Sequence, residues 1–298
     1  MRVFVTGATG FIGSAVVEEL IQAGHQVLGM ARSDAGARSL AAAGAQAHRG
    51  DLQDLESLRR GAANSDAVIH TAFIHDFSKF RENCEIDRRA IEALGSTLAG
   101  SDRVLIVTSG TGIVITPGRL STEEDAPPSN ASIPRVASEE AAAALASRGV
   151  RVSVLRLPQV HDRDKQGLVT YMIAVAREKG ISAYVGDGLN RWPAVRRLDA
   201  AHLYRLALEK GSAGARYHAV AEEGVPLREI AEAIGRGLHV PVIGQTHEDA
   251  AGHFGWLGHF VGADAPASSA LTQERLGWRP TTQPGLIADL DHASAFAA

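Results

Sequence analysis

The chain has 298 residues, 45% of them hydrophobic, enough to bury the core of one α/β unit with an appended lobe. Its 30 basic and 34 acidic residues leave a net charge of −4 with no basic block, which argues against nucleic acid or an anionic membrane as partner. A single cysteine, Cys84, no apolar run near ~18 residues and a start on a strand pattern rather than a charged leader set the expectation of a cytoplasmic protein without disulfides.

Short apolar runs at 2–6, 26–30, 67–70, 103–108 and 151–156, with a weaker one at 45–48, predict strands. Their continuous rather than alternating apolarity suits strands covered on both faces, as in a parallel sheet. Helical patterns lie between them; in the first, Val16, Val17, Leu20 and Ile21 share one stripe that stops at Gly24. The result is a doubly wound α/β arrangement. Beyond "VHDRDKQG" (160–167) the character changes, which divides the chain into a nucleotide-binding domain, 1–165, and mainly a smaller substrate lobe, 166–298. There, helices are predicted at 168–180, 198–211 and 225–238, the last with Leu227, Ile230, Ala231 and Ile234 inward, and a strand at 216–220. "NAS" at Asn130 matches a glycosylation sequon that carries no weight in a cytosolic chain.

"TGATGFIG" (6–13) follows the first strand and opens the first helix. Gly7 allows a tight turn, Gly10 lets a pyrophosphate approach the backbone, and Gly13 lets helix and sheet lie close. With Thr9, Phe11 and Ile12, these residues predict a dinucleotide site. At the end of the second strand, where a carboxylate would select NAD, stand Met30, Ala31, Arg32 and Ser33. Arginine and serine suit a 2′-phosphate, so NADP(H) is expected over NAD(H), although Asp34 is close by. Asp51 and Leu52 are placed to hold adenine, and Thr71 and Ala72 after the fourth strand complete the cofactor set.

With "TGATGFIG", "GDLQD", "VIHTAF", "VLIVTSG" and "GVRVSVLRLPQV" in order, the chain resembles the extended short-chain dehydrogenases/reductases, the NAD-dependent epimerase/dehydratase family, nearly end to end. The resemblance implies a Rossmann fold, a return of residues 190–212 to the nucleotide domain, and a Ser or Thr that binds the substrate oxygen, matched by Ser109. It also implies a Tyr that moves a proton and a Lys four residues later. The matching segment is "RVASE" (135–139), with Arg135 at the Tyr position and Glu139 at the Lys position; Ser138 is a plausible helix cap. The chain is therefore similar to the atypical branch of the family. Arginine stays protonated, so Arg135 cannot donate the proton, although it could polarise a carbonyl or bind an anionic group.

Replacement donors are Tyr171 on the first helix of the substrate lobe, Tyr184 before "VGDG", His161 after the sixth strand and His75 after the fourth. The expected activity is NADP(H)-dependent oxidoreduction of a small carbonyl, imine or enone. A non-redox isomerase or epimerase with bound cofactor, and a regulatory NADP(H) sensor, are the alternatives. Metal chemistry finds no HExxH and no paired cysteines, and His247, His253 and His259 recur at a spacing that does not share a helical face. "TSGTG" is not a hydrolase nucleophile elbow. A homodimer through helices at 84–98 and 138–148 is implied by the resemblance.

Overall fold

A strand with an apolar centre of Val3, Phe4 and Val5, β1 (Arg2–Thr6), begins a computed structural model that describes residues 1–128, 133–281 and 283–296; Asn130 lies outside them. There follow α1 (Phe11–Gln22), β2 (Gln26–Ala31), α2 (Asp34–Ala42), β3 (Gln46–Arg49), α3 (Leu55–Ala63), β4 (Ala67–His70), α4 (Phe80–Leu98), β5 (Val104–Gly110), α5 (Ala137–Ala146) and β6 (Arg151–Leu157). Later come β7 (Gln159–His161), α6 (Val169–Lys179), β8 (Ser182–Val185), β9 (Arg191–Arg196), α7 (Arg197–Lys210) and β10 (Arg216–His218). The chain closes with β11 (Glu222–Pro226), α8 (Leu227–Leu238), β12 (Val242–Gln245), α9 (His247–Phe254), α10 (Gly258–Val261), α11 (Ala270–Leu276) and α12 (Leu286–Asp291).

The main sheet is parallel throughout, in the order β10-β6-β5-β4-β1-β2-β3. This is a Rossmann fold, with the order reversing between β1 and β4, where such sheets open a ligand crevice at their carboxyl ends. Both faces are covered, which explains the continuous apolarity of the strands. Ile106 and Leu155 pack with α1, α2 and α7; Leu105, Val107, Val152 and Val154 pack with α3, α4 and α5. Beyond the 190–212 segment, β10 extends the main sheet and Trp278, after α11, is buried with α1 and α7.

The remaining elements form a second core around the three-stranded sheet β11-β9-β7 and the parallel pair β12-β8. Leu227, Ile230, Ala231 and Ile234 of α8 are buried, as their helical spacing predicts. The strand β9 was not among the predicted elements, and it carries Pro193. It is the middle strand of its sheet, and the register of β11 shifts between Glu222 and Val225, opposite Trp192–Ala194, where the proline lacks a donor. Among the described residues, no helix is long and apolar enough to cross a membrane.

Candidate active site

The glycine loop packs backbone against backbone. Gly7 has φ +67°, and a side chain there would meet the Ala72 amide nitrogen at 2.7 Å. One at Gly13 would meet the Gly7 carbonyl oxygen at 2.1 Å. The Gly10 N–H closes the turn onto Gly7 at 2.8 Å, and Thr71 Oγ1 donates to the Thr6 carbonyl at 2.7 Å. No side chain caps α1 and its first turn holds no acid, so its leading N–H groups face outward beside Thr9, Phe11 and Ile12. Arg197 of α7 braces the loop, donating to the Phe11 carbonyl at 2.6 Å and to Ser14 Oγ at 2.7 Å.

At the end of β2, Arg32 is exposed and has no ion-pair partner among the described residues. Ser33 caps α2 by accepting the Gly36 N–H at 3.1 Å, and Asp34 lies 3.3 Å from Arg49. Asp51 Oδ1 accepts the Gln53 N–H at 3.0 Å, a turn contact, while Leu52 is buried against the α3 side of the sheet.

"RVASE" holds a fixed charge network. Arg135 Nη1 donates to Asp87 Oδ2 of α4 at 2.6 Å and to Ser138 Oγ, and Nη2 donates to the Thr108 carbonyl at 2.9 Å. Ser138 Oγ donates to the same Asp87 oxygen at 2.6 Å, so Ser138 is not the helix cap; α5 has no side-chain cap, and a 3-10 turn at Pro134–Val136 leads into it. His70 Nε2 donates to Asp87 Oδ1 at 3.0 Å, and His70 Nδ1 meets Thr6 Oγ1 at 2.8 Å. A buried polar chain thus runs from the glycine loop to Arg135. Burial would raise the Asp87 carboxyl, but the Arg135 charge and the His70 and Ser138 contacts outweigh it and hold the pKa well below the usual carboxylate range.

Glu139 is a buried ion-pair partner. Its two oxygens accept from Nε and Nη2 of Arg156 at 2.7 Å each, and both residues are buried. His218 closes this cluster: Nδ1 donates to the Ser268 carbonyl at 2.8 Å and Nε2 accepts from Arg156 at 3.2 Å. Burial, with help from Arg156, pushes its pKa down to about 4, so the ring is neutral at pH 7.

Ser109, the penultimate residue of β5, lies beside Arg156 in the sheet register. It is 4% exposed, and its hydroxyl is buried without a hydrogen-bond partner among the described residues. Such a group in a native fold normally has a partner, be it protein, ordered water or a ligand atom. Phe73, on the segment after β4, lies under the Arg135 guanidinium at 4.2 Å. The same segment carries His75 and Phe77, and Phe77 stacks on Trp256 at 4.1 Å and meets Tyr171 edge-on at 5.8 Å. The structure therefore brings Arg135, His75 and Tyr171 onto one aromatic wall. Burial, then the charges of Arg135 and Lys165, lower the His75 pKa, although the residue keeps an exposed side.

His161 is placed elsewhere. Its side chain is buried in the second core, with Nδ1 2.8 Å from Asp289 of α12 and Nε2 3.7 Å from Glu222. It ties β7 to α12, and its Nε2 has no hydrogen-bond partner among the described residues. Tyr184, on β8, lies under Arg228. The sequence reading missed Asp87, His70, Arg156 and the aromatic wall. Asp87 left a signal: it sits in the α4 stripe with Cys84, Ile91 and Leu94, where a lone charge requires a partner.

The model of the NAD dependent epimerase/dehydratase family matches residues 3–221. The chain belongs to that family. It is 52% identical over 297 residues to the uncharacterized protein C2A9.02 of Schizosaccharomyces pombe, covering 99% of this chain and 100% of that one. It is 45% identical over 293 residues to the uncharacterized protein YLL056C of Saccharomyces cerevisiae, covering 97% and 98%. The UDP-glucose 4-epimerase of Thermus thermophilus, solved as a complex with NAD, superposes with a TM-score of 0.76 at 23% identity over 98% of each chain. As an epimerase/dehydratase family member, this chain has neither a tyrosine nor a lysine anywhere between β5 and β6.

Proposed function

We propose that the protein is an NADP(H)-dependent oxidoreductase acting on a small carbonyl, imine or enone with a flat, apolar body. The observation that carries the reading is the buried Ser109 hydroxyl, unpartnered among the described residues, one position after the Thr108 carbonyl that Arg135 holds. The residues present fit a dinucleotide. Gly7 and Gly13 leave no room for side chains, α1 offers uncapped N–H groups, and Arg32 is free to meet a 2′-phosphate while Asp34 is engaged by Arg49. When bound, the nicotinamide supplies or accepts hydride.

The chain's own residues then orient the substrate and handle the proton. Ser109 donates a hydrogen bond to the substrate oxygen, and Arg135, held by Asp87 and Thr108, sets a fixed positive potential there. Phe73, Phe77 and Trp256 offer flat surfaces for an apolar body. His75, whose pKa burial and the Arg135 charge lower, takes a proton when an alcohol is oxidised and returns it in the reverse direction. Tyr171 is the second proton-transfer group. Ser109→Ala is expected to lower turnover at least ~10-fold with NADPH binding unchanged. Unchanged turnover would refute the role of Ser109.

A further inference from the structure

We propose that Lys165 is a cofactor-binding residue whose ammonium holds the pyrophosphate of the dinucleotide against the N-terminus of α1; this rests on the cofactor reading above. Lys165 Nζ stands 5.8 Å from the centre of the Phe11 ring in the glycine loop. It has no carboxylate partner among the described residues, and the side chain is exposed. The neighbouring cations are committed: Arg135 to Asp87, and Arg197 to the Phe11 carbonyl, Ser14 and Asp162.

An exposed lysine normally samples many positions in solvent. Here the backbone beneath it is fixed. Asp162 Oδ1 accepts the N–H groups of Asp164 and Lys165 at 2.8 and 2.9 Å, and the Asp162 N–H donates to the Lys165 carbonyl at 2.9 Å. Gln166, fully buried, donates Nε2 to the Asp162 carbonyl at 2.9 Å. Asp162 is joined through Arg197, at 3.3 Å, to the Phe11 carbonyl. This turn and the glycine loop are therefore one rigid assembly. On its other side the Lys165 charge reaches His75, where it adds to the lowering of the imidazole pKa by burial and Arg135. An unpaired cation beside an uncapped helix N-terminus without acids in its first turn complements an anion, and the pyrophosphate is the anion this loop receives.

The test is direct binding, by calorimetry, of NADPH, NADH and ADP-ribose to the wild type, Lys165→Met, Lys165→Arg and Arg32→Ala. Lys165→Met is expected to weaken all three by the same factor, about tenfold, as for loss of a hydrogen bond to a charged group. Its affinity is expected to depend less steeply on salt, and Lys165→Arg to restore most of the loss. Arg32→Ala is expected to weaken NADPH alone. Lys165→Met binding all three ligands within twofold of wild type overturns the proposal and leaves the cofactor reading standing. A loss for NADPH and NADH but not for ADP-ribose also overturns it. A wild type that binds none of the three overturns both.

Discussion

Asp87→Asn removes one charge from the network around Arg135 and little else. The carboxylate is fully buried and receives Arg135, Ser138 and His70; the Arg135 side chain is only 15% exposed. Breaking a buried pair from one side costs about 3–5 kcal/mol, and asparagine keeps the shape, so about 3 kcal/mol is expected. With an unfolding entropy of about 2.1 cal/mol/K per residue over 298 residues, that is a melting point lower by about 5 °C. Asp87→Asn/Arg135→Gln removes the stranded cation and is expected to recover at least about 1 kcal/mol relative to additivity. The pH dependence has a definite sign. The folded pKa of Asp87 is depressed, so its contribution is full above the unfolded value of about 3.9 and is lost as pH falls through the folded one. The gap between wild type and variant is thus expected to stay constant from about pH 5 to 8 and to narrow below about pH 4. Thermal melts by circular dichroism measure all three. A single variant melting within about 1 °C of wild type, or strictly additive losses, would refute the pairing argument.

Arg135→Tyr with Glu139→Lys is expected not to create ketone reduction: Glu139 is the buried counter-ion of Arg156, and a lysine there sets two cations together, so the variant is expected to melt several degrees lower. Robust ketone turnover by a stable double variant would contradict this. Arg32→Ala is expected to erase most of the preference for NADPH over NADH; equal affinities in the unmutated protein would sink the assignment. Light scattering at micromolar concentration is expected to give the mass of a dimer associated through α4 and α5, and a monomer would contradict it.

The parallel sheet was legible because its strands are apolar on both faces, and the glycine loop because strand, turn and helix follow in order. The site was less legible because its pairings depend on register. Glu139 meets Arg156 only because β6 lies beside α5, and nothing local in "RVASE" announces that. His161 follows the sixth strand as expected, but it closes a further strand, β7, whose pairing with β9 places its ring against Asp289. Asp87 could have been found, since a carboxylate within an apolar helical stripe needs a buried partner. The aromatic wall joins residues 73–77 to Tyr171 and Trp256, a contact between distant segments that spacing does not encode.

The most direct measurement is consumption of NADPH by the wild type across a panel of carbonyls, cyclic imines and enones, each in a small polar and a flat apolar version. Oxidoreduction with NADP(H) requires substrate-dependent NADPH oxidation, and stacking on Phe77 and Trp256 requires that the flat apolar versions turn over faster. Tight NADPH binding without turnover of any member would contradict an oxidoreductase and leave a nucleotide-sensing protein in its place.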